Sequence, residues 1–115
     1  MPPTTSFRFG DIVLVPFPFT DQTAVKKRPA IVVSSAGYQA RRRDIVIMAV
    51  TSRMRATPGF GEFEVAEWKK AGLILPSVAK PVLATVEKRL VIKKLGALQR
   101  ADRESLQASL DAILG

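Results

Sequence analysis

The chain has 115 residues, of which 47% are hydrophobic, and it carries a formal net charge of +8 with no cysteine and no histidine. This length predicts one domain over residues 1–115, and the missing residue types exclude disulfides, thiolate metal sites, cysteine nucleophiles and histidine bases. We expect a cytoplasmic protein with no membrane span, because the sequence lacks both a run of about 18 apolar residues and a signal segment.

The positive charge is concentrated in the first half of the chain. Residues 1–55 hold nine Lys and Arg against three Asp and Glu, whereas residues 56–115 hold nine against seven. Clustered cations on a small domain favour a polyanionic partner. Nucleic acid fits better than a membrane surface, because no amphipathic basic helix is predicted. The alternative is that the basic residues serve only solubility.

Three strands are predicted in the first half. The first covers residues 11–16 and ends at the prolines of VPFPF. The second is PAIVVSS, residues 29–35, with Pro29 confined to its start because proline has no backbone N–H for a sheet. The third is DIVIMAV, residues 44–50, whose composition indicates burial on both faces.

The second half predicts shorter strands and one helix. EFEV, PVLATVEK and RLVIKKLG are strand candidates, and TSRMRATPGFG is a long loop. From Ala101 to Leu114, apolar residues recur on one helical face, with Leu106 and Leu110 at its centre. Strands without βαβ alternation, followed by one helix, predict a small, mostly antiparallel barrel or half-barrel with the helix against it.

The available side chains limit the chemistry to arginine, lysine, hydroxyls and carboxylates. The acids are scattered singly, which disfavours a metal site. A pair formed by Ser77 and Lys80 is a conceivable nucleophile, but a turn hydroxyl beside a solvated lysine is the favoured interpretation. RNA supplies its own nucleophile, the 2′-hydroxyl, so a protein can accelerate its cleavage by holding it in line and neutralising charge. Arginine suits this task, and a strand-end hydroxyl such as Thr51 could assist.

Several motifs together resemble one known family. GDIVLVPFPF, KKRPAIVVSS, DIVIMAVTS, AGLILPS and the closing KKLGAL with its helix occur in the order and spacing of the MazF/PemK toxins, over nearly the whole chain. The resemblance implies an SH3-like barrel with a C-terminal helix, a homodimer, and a toxin that cleaves single-stranded mRNA without a metal or other cofactor. It also implies a cognate antitoxin with an acidic, flexible tail.

The resemblance carries two catalytic residues onto this sequence. The arginine–proline motif falls on KKRPAIV and implies Arg28, and the threonine–serine motif falls on MAVTS and implies Thr51. The family's cleavage leaves a 2′,3′-cyclic phosphate and a 5′-hydroxyl. The loop FTDQTAVKK lacks the glycine, histidine and glutamate that many members place before this arginine, so the RNA sequence preference is expected to differ.

Further cations and one hydroxyl are candidate RNA contacts. They are Lys27, Arg41, Arg42, Arg43, Ser52, Arg53 and Arg55. Arg41 to Arg43 have two open interpretations, a solvated loop or a track for RNA backbone beside the phosphate site. Thr51 and Ser52 could also merely end a strand.

Two other functions fit the same fold. One is a non-catalytic RNA-binding module, which would tolerate loss of Thr51. The other is a toxin that binds a topoisomerase and needs neither Arg28 nor Thr51. The family contains degenerate members, so the fold does not by itself give the activity.

Overall fold

The computed structural model describes residues 6–17, 26–53 and 57–115. Strands dominate the described residues up to Ala97, and a long helix follows them. The elements are β1 (Asp11–Phe17), β2 (Lys26–Val32), α1 (Ala36–Arg41), β3 (Asp44–Thr51), β4 (Phe63–Glu64), β5 (Val78–Glu87), a 3₁₀ turn (Lys88–Leu90), β6 (Lys93–Ala97) and α2 (Arg100–Leu114).

The six strands form one antiparallel sheet in the order β4-β5-β3-β2-β1-β6. The pairing register shifts once between β1 and β6 and once between β3 and β5. Such irregularities bend strands and increase their twist, and they curl this sheet into a half-barrel. The predicted mostly-β antiparallel half-barrel with a C-terminal helix is confirmed.

Both faces of the sheet are covered by apolar side chains. Ile12, Ile31 and Met48 point to one face, where they pack with Leu106 and Leu110 of α2. Neighbouring residues of a strand point to opposite faces of the sheet. The strand residues adjacent to Ile12, Ile31 and Met48 therefore pack on the face away from α2. That second cluster comprises Phe7, Val13, Val15, Ala30, Val32, Ile45, Ile47 and Val86. The side of the sheet away from α2 is therefore a second, more open apolar surface.

Helix α2 holds the connection between β4 and β5 through a buried carboxylate. Asp102 is buried, and its two oxygens accept hydrogen bonds from the backbone N–H groups of Ala66 and Glu67, each at 2.9 Å. The predicted apolar stripe is confirmed at Leu106 and Leu110, whereas Leu114 is 68% exposed. The stripe therefore ends before the last residue of the helix.

Two strand boundaries differ from prediction because each proline finds a tolerated position inside a strand. Pro29 lies within β2, in the stretch that pairs with β1 before the pairing with β3 begins at Ala30. Pro81 lies inside β5, where three residues stand opposite Ala49 and the ladder is interrupted. In both places the missing N–H falls where the ladder to a neighbouring strand has not begun or is interrupted.

Helix α1 was not predicted. It has six residues, and the Ser35 side chain caps it by accepting a hydrogen bond from the Tyr38 N–H at 3.1 Å. A helix this short shows less than two turns of periodicity, so the sequence pattern does not reveal it. In the described parts of the chain, no helix has the length and apolar character needed to cross a bilayer.

Candidate active site

Arg28 lies on β2 at the rim of the second apolar surface. Its backbone pairs with Val15 of β1, and its side chain is exposed. The following residue, Pro29, favours extended backbone at position 28 because the proline ring clashes with helical conformations of the preceding residue. Pro29 therefore favours the extended conformation with which Arg28 lies in β2.

Thr51 is the last residue of β3 and lies half-buried opposite Val78 of β5. Its Oγ1 accepts a hydrogen bond from the Arg53 N–H at 3.1 Å, which fixes the turn out of the strand. Among the described residues, no acceptor takes the Thr51 hydroxyl hydrogen. The hydroxyl can therefore donate to a ligand while it still accepts from the backbone.

The strand register brings these two residues together. β2 and β3 pair antiparallel with Ala30 opposite Ala49. Continuing this register by two residues along each strand sets Arg28 opposite Thr51. Side chains two apart along a strand share a face, so both lie on the face of Ala30, which belongs to the second apolar cluster. Both point away from α2.

One cavity of about 180 Å³ lies between them. Among the described residues that line it, Arg28 and Thr51 are the polar ones, and none is Asp or Glu. The remaining walls come from Val15, Pro29, Ala30, Ile47, Ala49, Val50, Val82 and Ala84. Because apolar walls lower the local dielectric, a guanidinium acts more strongly on an anion here than it would in open water.

Three of the candidate RNA contacts adjoin Arg28 or Thr51 and are exposed. Lys27 precedes Arg28 and is paired with Pro16, and its side chain leaves the strand on the other side. Ser52 and Arg53 directly follow Thr51. The predicted RNA contact at Arg55 lies outside the described residues.

Arg41, Arg42 and Arg43 lie at the opposite end of β3 from Thr51. Arg41 ends α1, Arg42 and Arg43 follow it, and Asp44 begins β3. Seven strand steps, roughly 23 Å, therefore separate this end of β3 from Thr51 at the cavity. Of the two interpretations left open by the sequence, a position directly beside the cavity does not agree with this placement, because β3 carries the chain from Asp44 to Thr51. A role in RNA binding away from the cavity stays a prediction.

Arg42 is held by a local cluster. Its Nε and Nη2 each donate to an Asp44 carboxylate oxygen at 3.1 Å, the Tyr38 hydroxyl donates to Asp44 Oδ1 at 2.7 Å, and the guanidinium lies 5.3 Å from the Tyr38 ring centroid. The hydrogen bonds from Arg42, and then from Tyr38, lower the pKa of Asp44. The bond to Asp44 raises the pKa of Tyr38. The cluster ties α1 to the start of β3.

The other polar residues considered from sequence have structural partners. Ser77 Oγ donates to the Leu75 carbonyl at 2.8 Å, and Lys80 Nζ lies 3.7 Å from a Glu62 carboxylate oxygen. This geometry supports the turn interpretation of Ser77. Within the described ranges, no group of three or more His, Cys, Asp or Glu side chains is arranged to hold a metal ion.

A set of cations between β5 and β6 was missed. Lys88, Arg89, Lys93 and Lys94 line cavities on the side of the molecule near Arg42 and Arg43. The sequence KRLVIKK was interpreted only as a strand, although four cations in seven residues are themselves a signal of a charged surface.

Comparison with known proteins agrees with this architecture. The model of the PemK-like, MazF-like toxins of type II toxin–antitoxin systems matches residues 8–114. The chain belongs to this toxin family. The resemblance seen in the sequence motifs is thereby confirmed. No protein with a curated description matches the chain by sequence.

Solved structures of similar chains share the fold of this family member. An endoribonuclease from a mycobacterial species, in complex with its cognate antitoxin, has a TM-score of 0.75 and 17% identity over 94% of each chain. The MazE–MazF complex from Deinococcus radiodurans has a TM-score of 0.75 and 23% identity over 96% of this chain and 98% of that one. The Mycobacterium tuberculosis toxin MazF-mt6 has a TM-score of 0.69 and 18% identity over 89% of this chain and 94% of that one.

Proposed function

We propose that this toxin is a metal-independent endoribonuclease that cleaves single-stranded mRNA. The observation that carries the proposal is the pairing of Arg28 and Thr51 on one apolar cavity whose described lining contains no carboxylate. A guanidinium and a hydroxyl are suited to an anion, and family membership supplies the link to toxins. Similar chains described as endoribonucleases support the same activity.

The chemistry uses the nucleophile of the substrate. The 2′-oxygen attacks the neighbouring phosphorus and loses its proton, the bond from phosphorus to the 5′-oxygen breaks, and the 5′-oxygen takes a proton as it leaves. The products are a 2′,3′-cyclic phosphate and a 5′-hydroxyl. Negative charge builds up on the two non-bridging oxygens in the transition state, and we assign its stabilisation to the Arg28 fork. Thr51 donates a hydrogen bond to the same phosphate.

We further propose that a cognate antitoxin silences the activity by occupying this site. Solved relatives described as complexes of toxin and antitoxin support such a partner. An acidic, flexible tail would pair with Arg28 and Arg53 and insert an apolar residue into the cavity, because a segment that folds on binding needs apolar anchors as well as charge. The protein would meet its mRNA substrate in the cytoplasm.

The test is cleavage of a long single-stranded RNA by purified toxin in excess chelator, followed by analysis of the end groups. We expect fragments with a 2′,3′-cyclic phosphate and a 5′-hydroxyl. Binding without cleavage would favour the non-catalytic RNA module. Inhibition of a topoisomerase by protein that neither binds nor cuts RNA would favour a toxin that acts on a topoisomerase.

A further inference from the structure

We propose that the segment Lys88–Lys94, here called the crossing segment, is a second RNA-binding surface that holds the substrate's phosphate backbone away from the cut. The inference rests on the proposed ribonuclease function and extends it, because it makes long RNA the preferred substrate.

The crossing segment runs from the start of β3 to β1. It begins where the Lys88 N–H donates to the Arg43 carbonyl at 2.8 Å, at the start of β3. It then reaches β1, where the Ile92 N–H donates to the Leu14 carbonyl at 2.8 Å. Leu14 pairs with Lys93 on one side and with Pro29, the neighbour of Arg28, on the other. Two strand spacings, roughly 10 Å, therefore separate the backbone at Lys93 from β2 beside Arg28.

Cations line the segment on both sides. Two cavities, of about 400 Å³ and about 300 Å³, share Lys88 and Arg89 in their lining. Glu87 is the one carboxylate among the described residues that line the two cavities. The cations of the two linings are Arg42, Arg43, Lys88, Arg89, Lys93 and Lys94.

The internal ion pairs do not neutralise this surface. Arg42 pairs with Asp44, Arg89 with Glu87 and Lys94 with Asp11. Across the described chain, no carboxylate oxygen lies within 4.0 Å of the terminal nitrogens of Arg43 or Lys93, and both side chains are exposed. The cations therefore outnumber their carboxylate partners by three. Lys88 donates to the Gln39 carbonyl, which anchors the segment to α1.

The composition of the surface favours RNA over an acidic peptide. Three of the six cations are arginines, whose planar forks match phosphate oxygens. A peptide that folds on binding needs apolar anchor pockets. Leu90 and Ile92 of the segment are 37% and 44% exposed, but four of the seven described residues that line the cavity of Ile92 are cations. The apolar cavity lies instead beside Arg28. RNA, a flexible polyanion with a negative charge on every nucleotide, therefore fits the crossing segment better than an acidic peptide does.

The test compares two double variants that each lose two exposed cations. The double variant Arg89→Gln with Lys93→Gln removes two cations. Arg89 pairs with the exposed carboxylate of Glu87, whereas Lys93 has no carboxylate partner within the described chain. Lys69→Gln with Lys70→Gln removes a matched pair, since Lys70 lies 3.2 Å from Glu67 and Lys69 stacks on Trp68. The control pair lies on the turn that Asp102 attaches to α2, on the other side of the sheet.

Binding is measured with an uncleavable RNA of about 16 nucleotides that carries a 2′-deoxy residue at the cut. Cleavage is measured with an RNA of about 4 nucleotides. For Arg89→Gln with Lys93→Gln we expect the Kd for the long RNA to rise about 5-fold or more. The slope of log affinity against log salt should fall in magnitude by about 1.4, since two single-strand phosphate contacts are lost. Cleavage of the short RNA should stay at the parental rate, and the control should match the parent throughout.

Two results would overturn the proposal. One is parental affinity and salt slope in Arg89→Gln with Lys93→Gln. The other is a loss of binding to poly-glutamate with RNA binding unchanged, which would assign the segment to an acidic peptide. Failure of the ribonuclease function would look different, because the parent would then bind the long RNA without cutting the short one.

Discussion

Arg28 and Thr51 offer a phosphate group different things. The guanidinium of Arg28 can bind two phosphate oxygens at once, whereas the Thr51 hydroxyl gives one hydrogen bond. Both line the same apolar cavity, where water competes less with them. We therefore expect loss of Arg28 to be the more severe change.

Arg28→Lys keeps the charge and removes the two-pronged geometry. We expect turnover to fall about 10²-fold or more, by analogy with the loss of a transition-state hydrogen-bond donor. The measurement is single-turnover cleavage of a saturating RNA. Lys27→Gln is the matched control, because it removes the adjacent exposed cation and should weaken RNA binding without slowing the bound substrate. Equal turnover in Arg28→Lys and the parent would remove Arg28 from the site.

Thr51→Ala removes the hydroxyl that lines the cavity and accepts from the Arg53 N–H. We expect turnover to fall about 10²-fold, with RNA affinity nearly unchanged and the free energy of unfolding lowered by about 1 kcal/mol. Cleavage rate, RNA titration and urea unfolding separate these effects. Thr51→Ser, which keeps the hydroxyl, should restore most of the rate. A Thr51→Ala protein that cleaves like the parent would leave Thr51 only its role at the end of β3.

At the scale of elements, a close backbone approach fixes β6 against the turn before β5. A Cβ at Gly96 would lie 2.2 Å from the Ala71 carbonyl oxygen, and one at Gly72 would lie 2.2 Å from the Leu95 carbonyl oxygen. The opposing atoms are backbone and have no side-chain torsion with which to move aside. Gly72 and Gly96 thus set the position of β6, the strand in which the crossing segment ends.

Gly96→Ala should lower the free energy of unfolding by about 3 kcal/mol, because the added methyl group overlaps the Ala71 carbonyl. Urea unfolding measures the change. Gly37→Ala is the control: it lies in α1, its Cβ would meet only Ser35 Oγ at 3.8 Å, and it should be neutral or stabilising by up to about 1 kcal/mol. Similar unfolding of Gly96→Ala and the parent would show that β6 can shift without loss.

The elements also show what the sequence could predict and what it could not. Long β-branched runs identified β1, β2 and β3, because burial on both faces leaves a continuous apolar signal. The placement of Pro29 and Pro81 inside strands depends on where a neighbouring ladder starts or is interrupted, which is a tertiary property. Helix α1 was missed because it is too short for a periodic signal.

The site was predictable only through its motifs. Arg28 and Thr51 are distant in sequence, and their convergence follows from the antiparallel register of β2 and β3, which periodicity does not give. For Arg41 to Arg43 the sequence left open a solvated loop or a track for RNA beside the phosphate site, and β3 carries the chain away from them to Thr51. The crossing segment was missed for the converse reason: its cations lie late in sequence but return to β1 beside β2.

For the whole molecule, we propose a homodimer. Large apolar side chains are exposed around β4 and β5, among them Phe60 at 83% and Ile74 at 88%. Val82 is also exposed and lines the cavity of Arg28 and Thr51. Large exposed apolar side chains are typical of an interface, and a two-fold pairing would cover Phe60 and Ile74 on both copies.

Light scattering of the protein at tens of micromolar should report a dimer, because weak dimers form at about this concentration. Ile74→Asp should shift it to monomer, because a charge would be buried at the interface. Leu114→Asp is the control, since Leu114 is exposed at the end of α2, in an apolar position outside the β4–β5 region. A parent protein that stays monomeric at this concentration would contradict the dimer.

The measurement that tests the central claim most directly is cleavage, in excess chelator, of an RNA in which the single nucleotide 5′ of the mapped cut carries a 2′-deoxy sugar. If Arg28 and Thr51 act on a phosphate attacked by its own 2′-oxygen, the unmodified RNA is cut to a 2′,3′-cyclic phosphate and the deoxy-substituted RNA is bound but left intact. Cutting of the deoxy-substituted RNA at the same position would contradict the account, because the nucleophile would then have to come from elsewhere.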